Sequence, residues 1–336
     1  MPGDYGSRYT DERVAETART IRRVYGQAQH EIELKSKDFW RRHEVKARIY
    51  QSQVAKGEIT QADYQAWLRG QVFQGKLFEQ KAEQIAQTMV DADKIAQRII
   101  NGEKLDIFAA NANYLSWQLE KGAGADMGFN LYDSATVSRL LRDEPDLLPA
   151  IAPEKIDEAA DMEWYQKIVT NSVTQGIIQG EGIEEIFERI ALNCMDRGES
   201  AAMRDARTAY TGAMNAGRVE AMRQAESLGI GVKKRWMSTF DFKTRDTHRQ
   251  LDGQTVGVDE DFIVDGDRIG YPGDPTAEAA LVFNCRCRLV YDHPKYPRTS
   301  NRRDDITGEA VGNMTYKQWY EWKGGAAAEK AAKGGR

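Results

Sequence analysis

KKRWMSTFDFKTRDTHRQLDGQTVGVDEDFIVDGDRIGYPGDPTAEAALVFNCRCRLVYD, residues 233–292, is the stretch whose reading decides the fold. It holds two of the three cysteines and one of the four histidines, Cys285, Cys287 and His248. Ser238, Thr239 or Asp241 would cap a short helix by accepting a hydrogen bond from a free N–H of its first turn. That helix puts Arg245, His248 and Leu251 on one face, pairs Asp241 with Arg245 across its first turn, and stops at Gly253. Short strands are expected at 255–258 and 262–264, followed by a Gly- and Pro-punctuated loop at 270–275. The last strand, 284–291, alternates. Cys285, Cys287, Leu289 and Tyr291 face one way, and Arg286, Arg288 and Val290 the other. The stretch reads as a compact α+β module with short antiparallel strands.

Upstream, the patterning is helical almost throughout. Residues 1–18 are polar and read as a flexible arm. Residues 19–155 form an N-terminal helical domain in which Gly57 ends one helix and Thr60 with Asp63 caps the next. A turn is expected at Asn101-Gly102, and a loop at 122–130 carries three glycines. Prolines at 145, 149 and 153 limit helix up to residue 156, so the main boundary is placed near 150–160. Asp161 would cap a helix running to about Gln179. Ile183, Ile186, Phe187, Ile190, Ala191 and Cys194 give an amphipathic helix at three- and four-residue spacing. Another helix follows from 199 to 227, with a small-residue stripe of Ala202, Ala206, Ala209, Ala213 and Ala216. After residue 292 comes a polar tail with a short aromatic docking helix within 314–322 and a frayed end. The fold class is mainly α: an extended helical N-terminal region followed by the small α+β module.

The order W-x4-D-x3-R-x2-H-x2-L-D-G, then Pro-Gly-Asp-Pro, then N-C-R-C-R-L resembles the Mu F-like minor head protein family of tailed bacteriophages. The matching residues are Trp236, Asp241, Arg245, His248, Leu251, Asp252, Gly253, Pro272, Gly273, Asn284, Cys285, Arg286 and Cys287. The helix ARTAYTGAMNAGRVEAM at 206–222 is also similar, so the resemblance covers roughly 161–292 and a head-morphogenesis domain is drawn at 156–292, with its helices in 161–228. What the resemblance implies is a structural, low-copy virion component, placed in the capsid interior or at the portal vertex and assembled in the host cytoplasm. The implied partners are the portal protein, a scaffold or major capsid protein, and double-stranded DNA.

Composition sets limits on these expectations. Three cysteines, an odd number, argue against a disulfide framework and for a reducing compartment. No run approaches the roughly eighteen apolar residues of a membrane helix, and the N-terminus lacks the apolar core of a signal peptide, so no membrane partner is expected. The net charge of −5 gives no global attraction to nucleic acid. Locally, residues 233–249 carry six basic and two acidic residues, and residues 258–278 carry seven acidic and one basic. Lys233, Lys234, Arg235, Arg286 and Arg288 are the candidate nucleic-acid contacts. The competing reading is that these charges neutralise one another across the fold.

Three readings compete for His248, Cys285 and Cys287. Two thiols at i and i+2 of a strand share a face, and thiolates with imidazole are what zinc prefers, with His293 as a further ligand. The spacing is C-x-C rather than C-x2-C, however, and the plainer reading packs both thiols in a small core while His248 bonds a loop carbonyl. The third is an active site in which Asp241, Asp246 or Asp252 orients His248 as a general base and a cysteine acts as nucleophile. No phosphate-binding glycine loop, H-E-x-x-H or G-x-S-x-G accompanies it. The chain is therefore read as a non-enzyme with no assigned catalytic residue, and zinc is the one metal the set would take. Its rivals are a metal-dependent or toxin-like effector, for which the tail after residue 292 is too short to add a toxin domain, and a generic nucleic-acid-binding module. Cys194 reads as a core residue, and His30 and His43 as surface residues.

Overall fold

The computed structural model describes residues 4–124, 126, 128–143, 158–295 and 302–334. Runs of Ala, Glu, Gln, Lys and Arg with an apolar residue every three or four positions make helices that bury one stripe each. In α1 (Tyr5–Ala55) that stripe includes Ile21, Tyr25, Ala28, Ile32 and Phe39. The helix ends where a left-handed residue is available, at Gly57 with φ +73°. Thr60 then opens α2 (Gln61–Trp67) with a capping box. Its hydroxyl accepts from the Asp63 N–H at 3.2 Å, and the Asp63 carboxylate accepts from the Thr60 N–H at 2.9 Å. A π-helical turn, Leu68–Val72, leads towards α3 (Lys76–Ala123).

Several boundaries differ from the sequence expectation. Residues 5–18 are not a loose arm but the first turns of α1. No turn occurs at Asn101-Gly102, since α3 continues through it. The helices expected at 183–194 and 199–227 are one, α6 (Ile183–Ser227), with Gly198 inside it. Asp161 lies within α5 (Glu158–Gln179) instead of capping it. The boundary expected near 150–160 falls largely on residues outside those described.

The chain divides into two compact units. One takes residues 18–99 and 151–203, and the other takes residues 1–17, 100–150 and 204–336. In the first, Phe187 packs against Phe39 and Trp40, both at 5.3 Å between ring centroids, and Tyr50 stacks on Trp67 at 4.7 Å. Asp93 accepts hydrogen bonds from the hydroxyls of Tyr25 and Tyr165. Gly198 sits where a Cβ would come within 2.5 Å of the Tyr25 ring, which explains a glycine in mid-helix. Trp67, Phe73 and Phe78 are thus core residues. Cys194 is fully buried here, and burial pushes its thiol up to about 12.

In the second unit, the later part of α3 meets the later part of α6 at close range. A Cβ on Gly217 would lie 2.4 Å from the Phe108 carbonyl oxygen, so the small-residue stripe is what permits the approach. α4 (Ser134–Asp143) adds a short amphipathic piece. The α+β module follows: β1 (Lys233–Met237), α7 (Asp246–Leu251), β2 (Thr255–Gly257), β3 (Phe262–Val264), β4 (Asp267–Ile269), α8 (Ala279–Val282) and β5 (Arg288–Asp292). β1 is central, antiparallel to β2 (Lys234 opposite Val256) and to β5 (Trp236 opposite Leu289). β3 and β4 form a separate hairpin, turning at Asp265 and Gly266 with φ of 52° and 93°. That Asp-Gly pair is a known hairpin signal and marks the strand the sequence reading missed.

One core joins Trp236, Leu251, Phe262, Leu289 and the two module cysteines to Val219, Met222 and Ala225 of α6 and to Leu115 and Leu119 of α3. A smaller one forms where α9 (Tyr316–Trp322), opened by a Thr315–Gln318 capping box, stacks Trp319 on Phe240 at 5.4 Å. The segment expected to fray is helical, α10 (Gly325–Gly334), and its Glu329 pairs with Arg249 at 3.0 Å. Among the described residues, no helix is long and apolar enough to cross a membrane.

Candidate functional site

His248 projects from α7 into the core that β1 and the lead-in to β5 enclose. Its Nδ1 lies 3.6 Å from Cys285 Sγ and 3.5 Å from Cys287 Sγ, and all three residues are buried. Nε2 lies 2.9 Å from the Leu281 carbonyl oxygen, which can only accept, so Nε2 carries the proton and Nδ1 the lone pair. The imidazole and Trp236 form a T-shaped pair with 5.3 Å between centroids. The two thiols share a face towards the imidazole, and the imidazole bonds a loop carbonyl.

The cysteines sit just before β5, not inside a strand beginning at 284, because Asn284 is left-handed with φ 56°. From there the chain is extended, which keeps Cys285 and Cys287 inward and turns Arg286 out. The Cys287 N–H donates to Cys285 Sγ at 3.4 Å. Burial acts on both thiols and pushes them up; it holds Cys285 well above its ordinary value. At Cys287 burial also raises the thiol, but the Cys285 thiol, the neighbouring His248 and the Thr239 main chain outweigh it and bring that thiol well below its ordinary value.

The remaining motif residues frame this cluster. Asp241 accepts from the N–H groups of Lys243 and Thr244 and pairs with Arg286, with one N···O distance of 3.0 Å. The expected Asp241–Arg245 pair is not made. Arg245 itself sits at the N-cap of α7 and donates to the carbonyls of Phe283 and Leu281. Burial alone would raise the Asp241 carboxyl; the Arg286 guanidinium outweighs it and holds the group below the usual carboxylate value. Asp252 accepts from the Ser238 and Tyr316 N–H groups and from buried Arg302 at 2.8 Å. Gly253 adopts φ +83°, and its N–H bonds the Trp236 carbonyl. Leu251 and Leu289 share the core.

Two residues of α6 that the sequence reading passed over hold the loops in place. Asn215 donates to the carbonyls of Pro272 and Cys287 at 2.9 and 3.2 Å and accepts from the Leu289 N–H at 2.7 Å. Thr211 donates to the Cys285 carbonyl at 2.7 Å. Gly273, with φ +82°, crosses Gly212 so closely that a Cβ on it would lie 2.6 Å from the Gly212 nitrogen. A polar side chain within an alanine stripe was the available signal for Asn215.

The carboxylate-oriented general base is not formed, since the partners of the His248 ring nitrogens are the Leu281 carbonyl and the two sulfurs. Asp241 and Asp252 are committed to arginines, and Asp246 is exposed beside Arg249 at 3.1 Å. His293 stands six residues beyond Cys287, about 20 Å along an extended chain, and accepts from the Lys295 N–H instead. Of the candidate nucleic-acid contacts, Lys233 is exposed, but Lys234 is buried with its ammonium 5.6 Å from the Phe262 ring. Burial draws Lys234 down to about 8. Arg235 pairs with Asp292 at 2.9 Å, Arg286 pairs with Asp241, and Arg288 is half-buried. Most of the apparent basic patch is therefore neutralised or covered within the module.

Residues 167–290 match the family described as Phage Mu protein F like protein. The chain is 26% identical over 289 residues to the minor head protein GP7 of Bacillus phage SPP1, covering 83% of this chain and 88% of that protein. It is 31% identical over 152 residues to a protein of Enterococcus faecalis (strain ATCC 700802 / V583) named NAD(+)–arginine ADP-ribosyltransferase EFV. That match covers 45% of this chain and 31% of the relative. The YqbB protein of Bacillus subtilis (strain 168) is 28% identical over 168 residues, 48% of this chain and 53% of its own. No solved structure is significantly similar.

Proposed function

We propose that the chain, whose residues 167–290 match the Mu F-like family and which is 26% identical to a minor head protein over most of its length, is a structural part in phage head morphogenesis, present in few copies and seated against the portal protein. The observation that carries this reading is the extent of the likeness to a minor head protein, which runs through the helical region as well as the module. The likeness to the ADP-ribosyltransferase is confined to under half of the chain and under a third of that relative, so it brings no activity with it. The side chains agree with a scaffold role. The polar motif residues of the module bond to main chain and to one another, and the imidazole is oriented by the Leu281 carbonyl rather than by a carboxylate. In this reading the protein resides in the virion and is assembled in the host cytoplasm.

Co-expression with the portal protein of the same phage tests the proposal. The chain is expected to co-purify with it, and the purified chain is expected to transfer no ADP-ribose from NAD+ to arginine. Failure of a folded chain to co-purify would remove the portal contact, and arginine-directed transfer would replace the structural reading with an enzymatic one.

A further inference from the structure

His248, Cys285 and Cys287 form a compact donor set whose spacing asks for an ion at its centre. A tetrahedral zinc ion with bonds of about 2.0–2.1 Å to nitrogen and about 2.3 Å to sulfur sets the two kinds of donor about 3.5 Å apart. The observed separations are 3.6 and 3.5 Å. Hydrogen bonding alone accounts for only half of this arrangement. Nδ1 has one lone pair and accepts from one thiol, yet both sulfurs stand at nearly the same distance from it.

The surroundings favour a metal in two further ways. The Nε2–H bond to the Leu281 carbonyl fixes the tautomer that leaves Nδ1 free to ligate, and such an outer bond is the usual companion of a metal-bound histidine. Cys285 Sγ receives a main-chain N–H, which suits a thiolate better than a thiol. Charge selects the ion. All three residues are buried, so a net charge there would be costly. Two thiolates, a neutral imidazole and a divalent cation sum to zero, whereas a monovalent soft cation such as Cu(I) leaves the site negative.

We propose that His248 Nδ1, Cys285 Sγ and Cys287 Sγ bind one zinc ion, with the fourth position taken by a small non-protein ligand. The ion would tie α7 to the chain entering β5 inside the main core of the module. Binding releases the two thiol protons to solvent and changes no oxidation state. This inference stands independently of the portal contact.

Full-length protein from zinc-supplemented cells is expected to carry about one equivalent of zinc by elemental analysis. C194S, altered outside the site, should keep it, and C285S/C287S should lose it. The double variant also perturbs the core, so the unaltered protein supplies a second measurement. Cobalt in place of zinc should give thiolate-to-metal charge-transfer absorption and the intense d–d bands of a tetrahedral site. Stripping the metal should lower Tm by about 5 °C or more, restored on adding zinc. Folded protein with less than about a tenth of an equivalent of zinc, a Tm indifferent to stripping and re-adding it, or cobalt with an all-oxygen octahedral spectrum would each overturn the site.

Discussion

Asn215 has neither charge nor reactive atom, yet its amide fastens main-chain groups of the 272 loop, the cysteine segment and β5 to α6. Asn215→Ala would leave those buried carbonyls and one N–H unpaired, so a loss of about 2–4 kcal/mol is expected in chemical denaturation. Its partners lie 57 to 74 residues away, which is why an alanine stripe announced helix packing and not this clamp. The cysteine–histidine set was legible because strand alternation and helix spacing are local rules. The partner of Asp241 was not, since Arg286 lies 45 residues off while Arg245 lay invitingly at four. That pair gives a pH prediction. The Asp241 carboxyl is held down in the folded state, so its stabilisation is present above the unfolded value of about 3.9 and is lost as pH falls through the lower folded value. Arg286 is partly exposed, so Arg286→Ala should cost only about 1 kcal/mol at pH 7. In that variant, acid unfolding should begin at higher pH, and an unchanged acid limb in a circular-dichroism titration would show that Asp241 is held down by other groups.

At the scale of elements, glycine has opposite meanings in two helices of the same unit. Gly102 lies in α3 with nothing within 4 Å of a would-be Cβ, whereas a Cβ on Gly217 of α6 would meet the Phe108 oxygen at 2.4 Å. Gly102→Ala should therefore stabilise by about 0.5–1 kcal/mol through helix propensity alone. Gly217→Ala should destabilise by about 1–3 kcal/mol, because two backbones must separate to admit the methyl. Thermal melts of both variants check the signs, and two stabilising substitutions would mean that the helices do not meet at Gly217. The same contrast explains which elements could be read in advance. The break at Gly57 was legible because a capping box at Thr60 agreed with it, while Asn101-Gly102 had no capping partner and long-range packing carried the helix through. Gly198, too, is a close-approach glycine rather than a breaker.

At the scale of the whole molecule, the unit that holds the module is not a single run of chain, although the family match spans one run, residues 167–290. Arg218, buried on α6, donates to the Leu289 carbonyl at 2.7 Å, to Asn111 of α3 at 3.1 Å and to Asp4 at 2.8 Å. One guanidinium thus joins the start of the chain, a central helix and the last strand of the module. A fragment of residues 156–336 would keep Arg218 and its bond to the Leu289 carbonyl but lose Asp4, Ser7 and Asn111 from around a buried cation. It would also lose Leu115 and Leu119, each worth about 1.5–3 kcal/mol when buried, from the core around Trp236. Asp4→Ala alone breaks a buried ion pair and is expected to cost about 3–5 kcal/mol. The fragment loses that and more, which exceeds what a marginally stable domain can spare. It should therefore melt without a cooperative transition, while the full chain unfolds cooperatively in the same calorimetric scan. A fragment that unfolds cooperatively within about 1 kcal/mol of the full chain would show that the module's own core suffices, and that Arg218 finds other partners once the first helix is gone.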